Sequence, residues 1–110
     1  MDAVFKALAD ESRRTLLDRL YAKGGQTLGE LCEPFLKVMS RQAVMKHLAI
    51  LEEANLLAIV WQGREKRHYL NPMPIQALQD RWIRKFEKQR LDALSALKTA
   101  LEGTDTKKGK

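Results

Sequence analysis

Between Lys37 and Ile50 the chain carries Lys37, Arg41 and Lys46 and no acid, with Ser40, Gln42 and His47 set among them. Gln42 offers the paired donor and acceptor that an adenine edge requires, Lys46 suits guanine or a phosphate, and the Ser40–Arg41 end suits phosphate. A second set, Arg64, Lys66 and Arg67, surrounds one acid, Glu65, just after Gly63. The chemistry these residues can do is to grip a polyanion. Catalysis finds no support: nucleophile, base and orienter cannot be assembled, and no glycine-rich phosphate loop occurs. Cys32 stands alone, so it forms no internal disulfide and reads as a small buried hydrophobe more readily than as a redox switch. Two histidines, His47 and His68, are too few for a self-contained zinc site, and neither metal nor cofactor is expected.

The elements that would position these side chains follow from apolar spacing and capping residues. Val4, Phe5 and Leu8, then Leu16, Leu17, Leu20 and Tyr21, predict helices over 2–9 and 11–23. Asp10 caps the second, and Gly24-Gly25 is expected to end it with a left-handed residue. Thr27 and Glu30 make a capping box for a short helix containing Leu28, Leu31 and Cys32, which should end or distort at Glu33 before Pro34. Ser40 caps the next helix. Val44, Leu48, Leu51 and Asn55 fall on one face of it, and Asn55 suits a left-handed terminus. The opposite face then carries Gln42, Lys46 and Ala49, flanked by Arg41 and Met45, while Glu52 and Glu53 come only at the far end. That polarity suits a helix entering the major groove by its N-terminus, with Ala49 small enough for close approach.

Leu56 to Gln62 and Lys66 to Asn71, joined through Gly63-Arg64-Glu65, predict a β-hairpin ended by Pro72 and Pro74. Ile75, Leu78, Trp82, Phe86, Leu91, Leu94, Leu97 and Leu101 mark one helix over about 75–101, roughly 40 Å long at 1.5 Å per residue. The order is helix, helix, short helix, helix, two-stranded wing, long helix. It predicts a mainly α winged helix-turn-helix with a small β-hairpin. Residues 1–103 are expected to form one DNA-binding and dimerisation domain, and the polar tail 104–110 to be disordered.

With 110 residues, 45% hydrophobic and 31% charged, the chain reads as globular. It is too short to cover so long an apolar stripe alone, which favours a partner subunit. No stretch suits a membrane span and the N-terminus lacks a signal layout, so a cytoplasmic location is expected. The net charge of +6 agrees with a nucleic-acid partner, although basicity alone is a weak pointer. A merely solvated basic face is the plain alternative for Arg41, Gln42 and Lys46, and the basic wing weighs against it. His47 lies about 60° from the apolar centre of its helix, which suits either a boundary histidine or a phosphate donor. His68 reads as structural, Trp82 and Phe86 as core or dimer interface. Arg81, Arg84, Lys85, Lys88 and Arg90 read as the solvated side of the long helix. Within another class of function, the basic helix and wing would instead bind a protein partner.

The order and spacing of several segments resemble the ArsR-type winged-helix regulators, in particular the subgroup encoded beside SRPBCC-domain proteins. The resemblance covers about residues 2–101. It rests on Phe5 to Asp10, Ser12 to Arg14 and Leu16-Leu17; on Gly29 to Leu31 and Glu33 to Phe35; on Ala43-Val44 and Lys46 to Ala54; and on Gly63 to Pro72. It implies a homodimer built from the first and last helices, through Val4, Phe5 and Leu8 with Trp82, Phe86, Leu94, Leu97 and Leu101. It also implies a roughly palindromic double-stranded DNA operator, half-sites about 34 Å apart, and repression until a signal lowers affinity, with no residue naming the inducer. Where the family's metal sensors carry a cysteine pair, Cys32 is followed by Pro34 at the second position. The long helix offers Asp80 and Glu87 without a histidine, so metal sensing is not expected. Asn55 replaces the usual glycine, and the connection Leu36-Lys37-Val38-Met39 is about two residues longer.

Overall fold

A computed structural model describes the backbone of residues 2–109 and the side chains of residues 2–102. The chain divides into two compact units, one up to Ile75 and one from Gln76 onward. The first contains α1 (Asp2–Leu8), α2 (Glu11–Ala22), α3 (Leu28–Cys32), α4 (Arg41–Glu53) and the strands β1 (Leu57–Gln62) and β2 (Glu65–Leu70). Its core is built from Leu16, Leu31, Val44, Leu51 and Leu56, all fully buried.

Each helix starts where a short polar side chain can take up free N–H groups. The Asp10 carboxylate accepts from Ser12 N at 2.8 Å and Arg13 N at 3.2 Å, opening α2. At α3, Thr27 Oγ1 accepts from Glu30 N while Glu30 Oε1 accepts from Thr27 N, the reciprocal box that the sequence predicts. Pro34 enters a short 3-10 turn, Glu33–Phe35, and the longer connection is then closed by Val38 N and Met39 N donating to Phe35 O. Ser40 Oγ accepts from Ala43 N at 3.1 Å to start α4.

The ends are less uniform. Asn55 takes φ 61°, and Asn55 N donates to Glu52 O while Leu56 N donates to Leu51 O. This is a Schellman closure with Leu51 and Leu56 buried against it. Helix α2 ends differently from expectation. Its cap residue Lys23 is extended, and the Gln26 amide donates to Arg19 O and Lys23 O instead. Gly25 does adopt φ 77°, but in the turn beyond, beneath the Tyr69 ring: a Cβ at Gly24 would lie 2.8 Å from Tyr69 Cδ1.

The hairpin pairs Leu57 with Leu70 through to Gln62 with Glu65. Glu65 is therefore a strand residue and the turn is only Gly63-Arg64, shorter than expected. Gly63 takes φ 60° at the first turn position, the type II′ arrangement that matches strand twist. A single bridge, Gln26 to His68, adds a third short edge, with Gly25 N donating to His68 O and His68 N to Gln26 O.

Arg13 is almost wholly buried between α1 and α4. Its Nε donates to Ala7 O at 2.8 Å, Nη2 to Lys6 O at 2.9 Å, and Nη1 to His47 Nδ1 at 3.1 Å. Since guanidinium has no acceptor, His47 Nδ1 must present its lone pair and Nε2 its hydrogen.

After β2 the chain becomes helical at Met73, two residues earlier than expected, because a proline in the first helical turn loses no intrahelical bond. Asn71 Oδ1 accepts from Met73 N there. α5 (Met73–Leu78) continues through a wide π-turn, Gln79–Ile83, closed by Arg84 N donating to Gln79 O, into α6 (Arg84–Gly109). Asp80 pairs with Arg84 at 3.0 Å, and the Arg81 guanidinium lies 5.0 Å from the Trp82 ring centre. The tail expected to be disordered, 104–110, lies outside the residues whose side chains are described. Among the described residues, no helix is long and apolar enough to cross a membrane.

Two outcomes follow from the caps and the buried guanidinium. Desolvation raises the Asp10 carboxyl, but the Arg13 and Ser12 N–H donors, with the influence of His47 and Arg13, outweigh it and hold Asp10 below its ordinary range. A depressed folded value stabilises the fold fully above the unfolded pKa of about 3.9, and that contribution is lost as pH falls through the folded value. Asp10→Ala should lower Tm at neutral pH, with the gap to the parent closing as the medium is acidified; circular dichroism melts check this, and a gap constant with pH would contradict it. Arg13→Lys should cost on the order of 2–3 kcal/mol, since one ammonium cannot fan out to three acceptors on two helices. Urea unfolding measures this, and a shift within error would remove Arg13 as the tie.

Candidate nucleic-acid interface

Val44, Leu48 and Leu51 anchor α4 to the core, which turns Arg41, Gln42, Met45, Lys46 and Ala49 outward, all exposed. Arg41, Gln42 and Lys46 make no side-chain hydrogen bond or ion pair among the described residues. The outer surface from the cap at Ser40 to Ala49 therefore carries two unneutralised cations and one amide. With a helix N-terminus at the same end, this surface is shaped for an anion bearing directional acceptors.

His47 occupies a different place. It is half-buried on the flank of α4 with Nδ1 taken by Arg13, so Nε2–H is the donor it has left. The sequence leaves open whether His47 is a boundary residue. What it could not signal is the partner, 34 residues away in the chain.

In the wing the three basic residues separate. Arg64 stands exposed in the turn with no side-chain partner among the described residues. Lys66 Nζ lies 3.1 Å from Glu52 Oε2, joining β2 to the last turn of α4. Arg67 donates from Nη1 to Gly25 O at 2.9 Å and from Nη2 to Glu65 Oε2 at 2.7 Å. Both ion pairs are partly exposed, a setting in which such pairs contribute about 0–1 kcal/mol, so they bias the wing without locking it. Each cation keeps further donors. His68 is 3% exposed, and its Nδ1 donates to Gln26 O at 2.9 Å, which makes it the structural residue that the sequence suggests.

The apolar residues expected at a subunit interface are distributed unevenly. In the first unit Val4 is buried within the chain's own core, Leu8 is intermediate and Phe5 is about half exposed. In the second, Trp82, Phe86, Leu94, Leu97 and Leu101 are each about half exposed. Cys32 is buried, as a small hydrophobe would be.

Comparison with known proteins places this geometry. A family model described as a helix-turn-helix domain matches residues 8–60, from the end of α1 into the first strand of the wing. The HTH-type transcriptional regulator YuzN of Bacillus subtilis is 37% identical over 86 residues, spanning 74% of this chain and 94% of YuzN. The transcriptional repressor SdpR, also of Bacillus subtilis, is 36% identical over 77 residues, spanning 69% of this chain and 81% of SdpR. A crystal structure of an ArsR family transcriptional regulator matches with a TM-score of 0.68 and 30% identity, covering 81% of this chain and 89% of its own. The matched relatives are transcriptional regulators rather than enzymes. Carrying a helix-turn-helix as its DNA-binding domain and a paired wing behind it, the chain belongs to the ArsR family of transcriptional regulators.

Proposed function

We propose that the protein is a cytoplasmic repressor that binds a roughly palindromic operator as a homodimer. The observation that carries this reading is the unneutralised outer face of α4, where Arg41, Gln42 and Lys46 have no competing partner among the described residues and no acid of the helix lies before Glu52. Gln42 and Lys46 read base edges in the major groove, Ser40 and Arg41 meet phosphate at the helix N-terminus, and His47 offers Nε2–H to phosphate. Arg64 reaches the backbone beside the helix, and Lys66 and Arg67 support it with the donors they retain.

The dimer draws on the exposed apolar side chains of the last helix with those of the first. A run of leucines left half in water is costly for a monomer, and two-fold pairing of like surfaces is the usual way to cover it. Two α4 helices related by that axis would enter successive major grooves, with half-sites about 34 Å apart. The repressor role is supported by the similarity to SdpR.

Selecting bound duplexes from a random pool should return an inverted repeat; sites without symmetry would contradict the dimeric reading. On such a duplex, Gln42→Ala or Lys46→Ala should relax preference at individual base pairs by about 1–3 kcal/mol. Arg64→Ala should weaken every sequence alike and reduce the salt slope by about one phosphate contact. Equal loss of specificity from both groups would refute the division of roles. Leu94→Glu combined with Leu97→Glu should give a monomer in light scattering and abolish tight operator binding; an intact dimer would move the interface elsewhere.

A further inference from the structure

The wing has two faces, and they differ. Cross-strand partners project to the same side, so Trp61 shares a face with Lys66, as Ile59 does with His68 and Leu57 with Leu70. Lys66 Nζ reaches Glu52 Oε2, which turns this face toward α4. At its base the face is covered, His68 being 3% exposed and Leu57 buried. Near the turn the cover runs out, and Trp61 is left 63% exposed.

Between this face and α4 runs a groove of about 300 Å³, lined by Leu28, by Met45, Leu48, Ala49 and the acid Glu52 on α4, and by Lys66 and His68 on the wing; Trp61 stands outside this lining, on the same strand face nearer the turn. Its surroundings are cationic. The wing's acid, Glu65, belongs to the other strand face and pairs with Arg67, although it also lines a neighbouring cavity with Arg41 and Lys66, and Glu52 is paired with Lys66. Arg41 and Lys46 on the helix and Arg64 in the turn are exposed and unpaired among the described residues. An apolar groove with a positive rim does not suit an apolar partner alone. It suits a ligand that alternates anionic groups with apolar rings, which is the make-up of a phosphate–deoxyribose strand. A helix in the major groove and a hairpin over the adjacent minor groove must straddle the strand that separates them.

We propose that Trp61 is the apolar DNA contact of the wing, its indole packing on deoxyribose of the strand held between wing and α4, with Nε1–H free to donate to a phosphate oxygen. The inference rests on the DNA-binding reading above and adds to the basic residues a contact that carries no charge. Trp61 thereby contributes affinity that salt does not screen.

The test uses the full chain labelled with fluorinated tryptophan, giving two fluorine resonances, with that of Trp61 identified by its loss in Trp61→Phe. Titration with a selected operator duplex should shift the Trp61 resonance and reduce its solvent-isotope shift as water leaves the ring. Trp61→Ala should weaken operator and random duplex alike by roughly ten-fold, the value of burying about 60 Å² of indole at ~25 cal/mol per Å². Trp61→Phe should recover most of that loss, and the salt slope should stay as in the parent, unlike that of Arg64→Ala. A Trp61 resonance unmoved at saturating duplex, or unchanged affinity in Trp61→Ala, would overturn the proposal. So would loss of solvent at Trp61 on raising protein concentration without DNA, which would assign the face to a second copy of the chain. Absence of duplex binding in a mobility-shift assay would instead overturn the DNA-binding reading itself, and the proposal with it.

Discussion

The fold of the first unit turns on a single guanidinium. Arg13 is taken out of water at the junction of three helices, and a buried cation is tolerated only when its donors find acceptors. It finds them in Lys6 O and Ala7 O at the end of α1 and in His47 Nδ1 on α4, all within 3.1 Å. The carbonyls at the end of α1 are groups that a short helix cannot satisfy for itself, and their partial negative charge favours a cation there. One side chain therefore closes the end of one helix and braces the flank of another, whose buried Val44, Leu48 and Leu51 decide which residues of α4 look outward.

The wing is held to the same body by bonds of two kinds. Deep in the fold, Gln26 closes α2 with its side chain while its backbone bonds to His68, so the helix end and the hairpin share one residue. Further out, Lys66 and Glu52 make a pair across partly exposed space. The first is sheltered from solvent and ionic strength; the second is open to both. The hairpin is thus held by buried bonds at its root and by a partly exposed ion pair further toward its turn.

Much of this was legible in the sequence because capping is a local matter. Asp10, Thr27 with Glu30, Ser40 and Asn55 each act within a few residues, and all four take the expected roles. The outward placement of Gln42 and Lys46 follows from apolar spacing alone. Bonds that span the chain left no such trace. Arg13 reads as one more basic residue on an amphipathic helix, and nothing near Lys66 or Arg67 announces Glu52 or Gly25 as partners. The end of α2 misled for a related reason: the glycine pair suggests a left-handed cap, whereas a glutamine amide does that work and the glycines make room for Tyr69. In the wing, a three-residue connection and a two-residue turn share the same letters, and only the register separates them.

The π-turn at Gln79–Ile83 spends one residue more than an ordinary helical turn. Each residue of an α-helix advances by about 100°, so an inserted residue changes the angular bearing of everything downstream by nearly that amount. Counted on an uninterrupted helix, Leu94, Leu97 and Leu101 drift well away from Leu78. With the lag of the wide turn they return, together with Phe86, to the same side as Leu78. The turn works as a phase corrector: it lets two apolar runs, each spelled in its own frame, be read as one continuous seam.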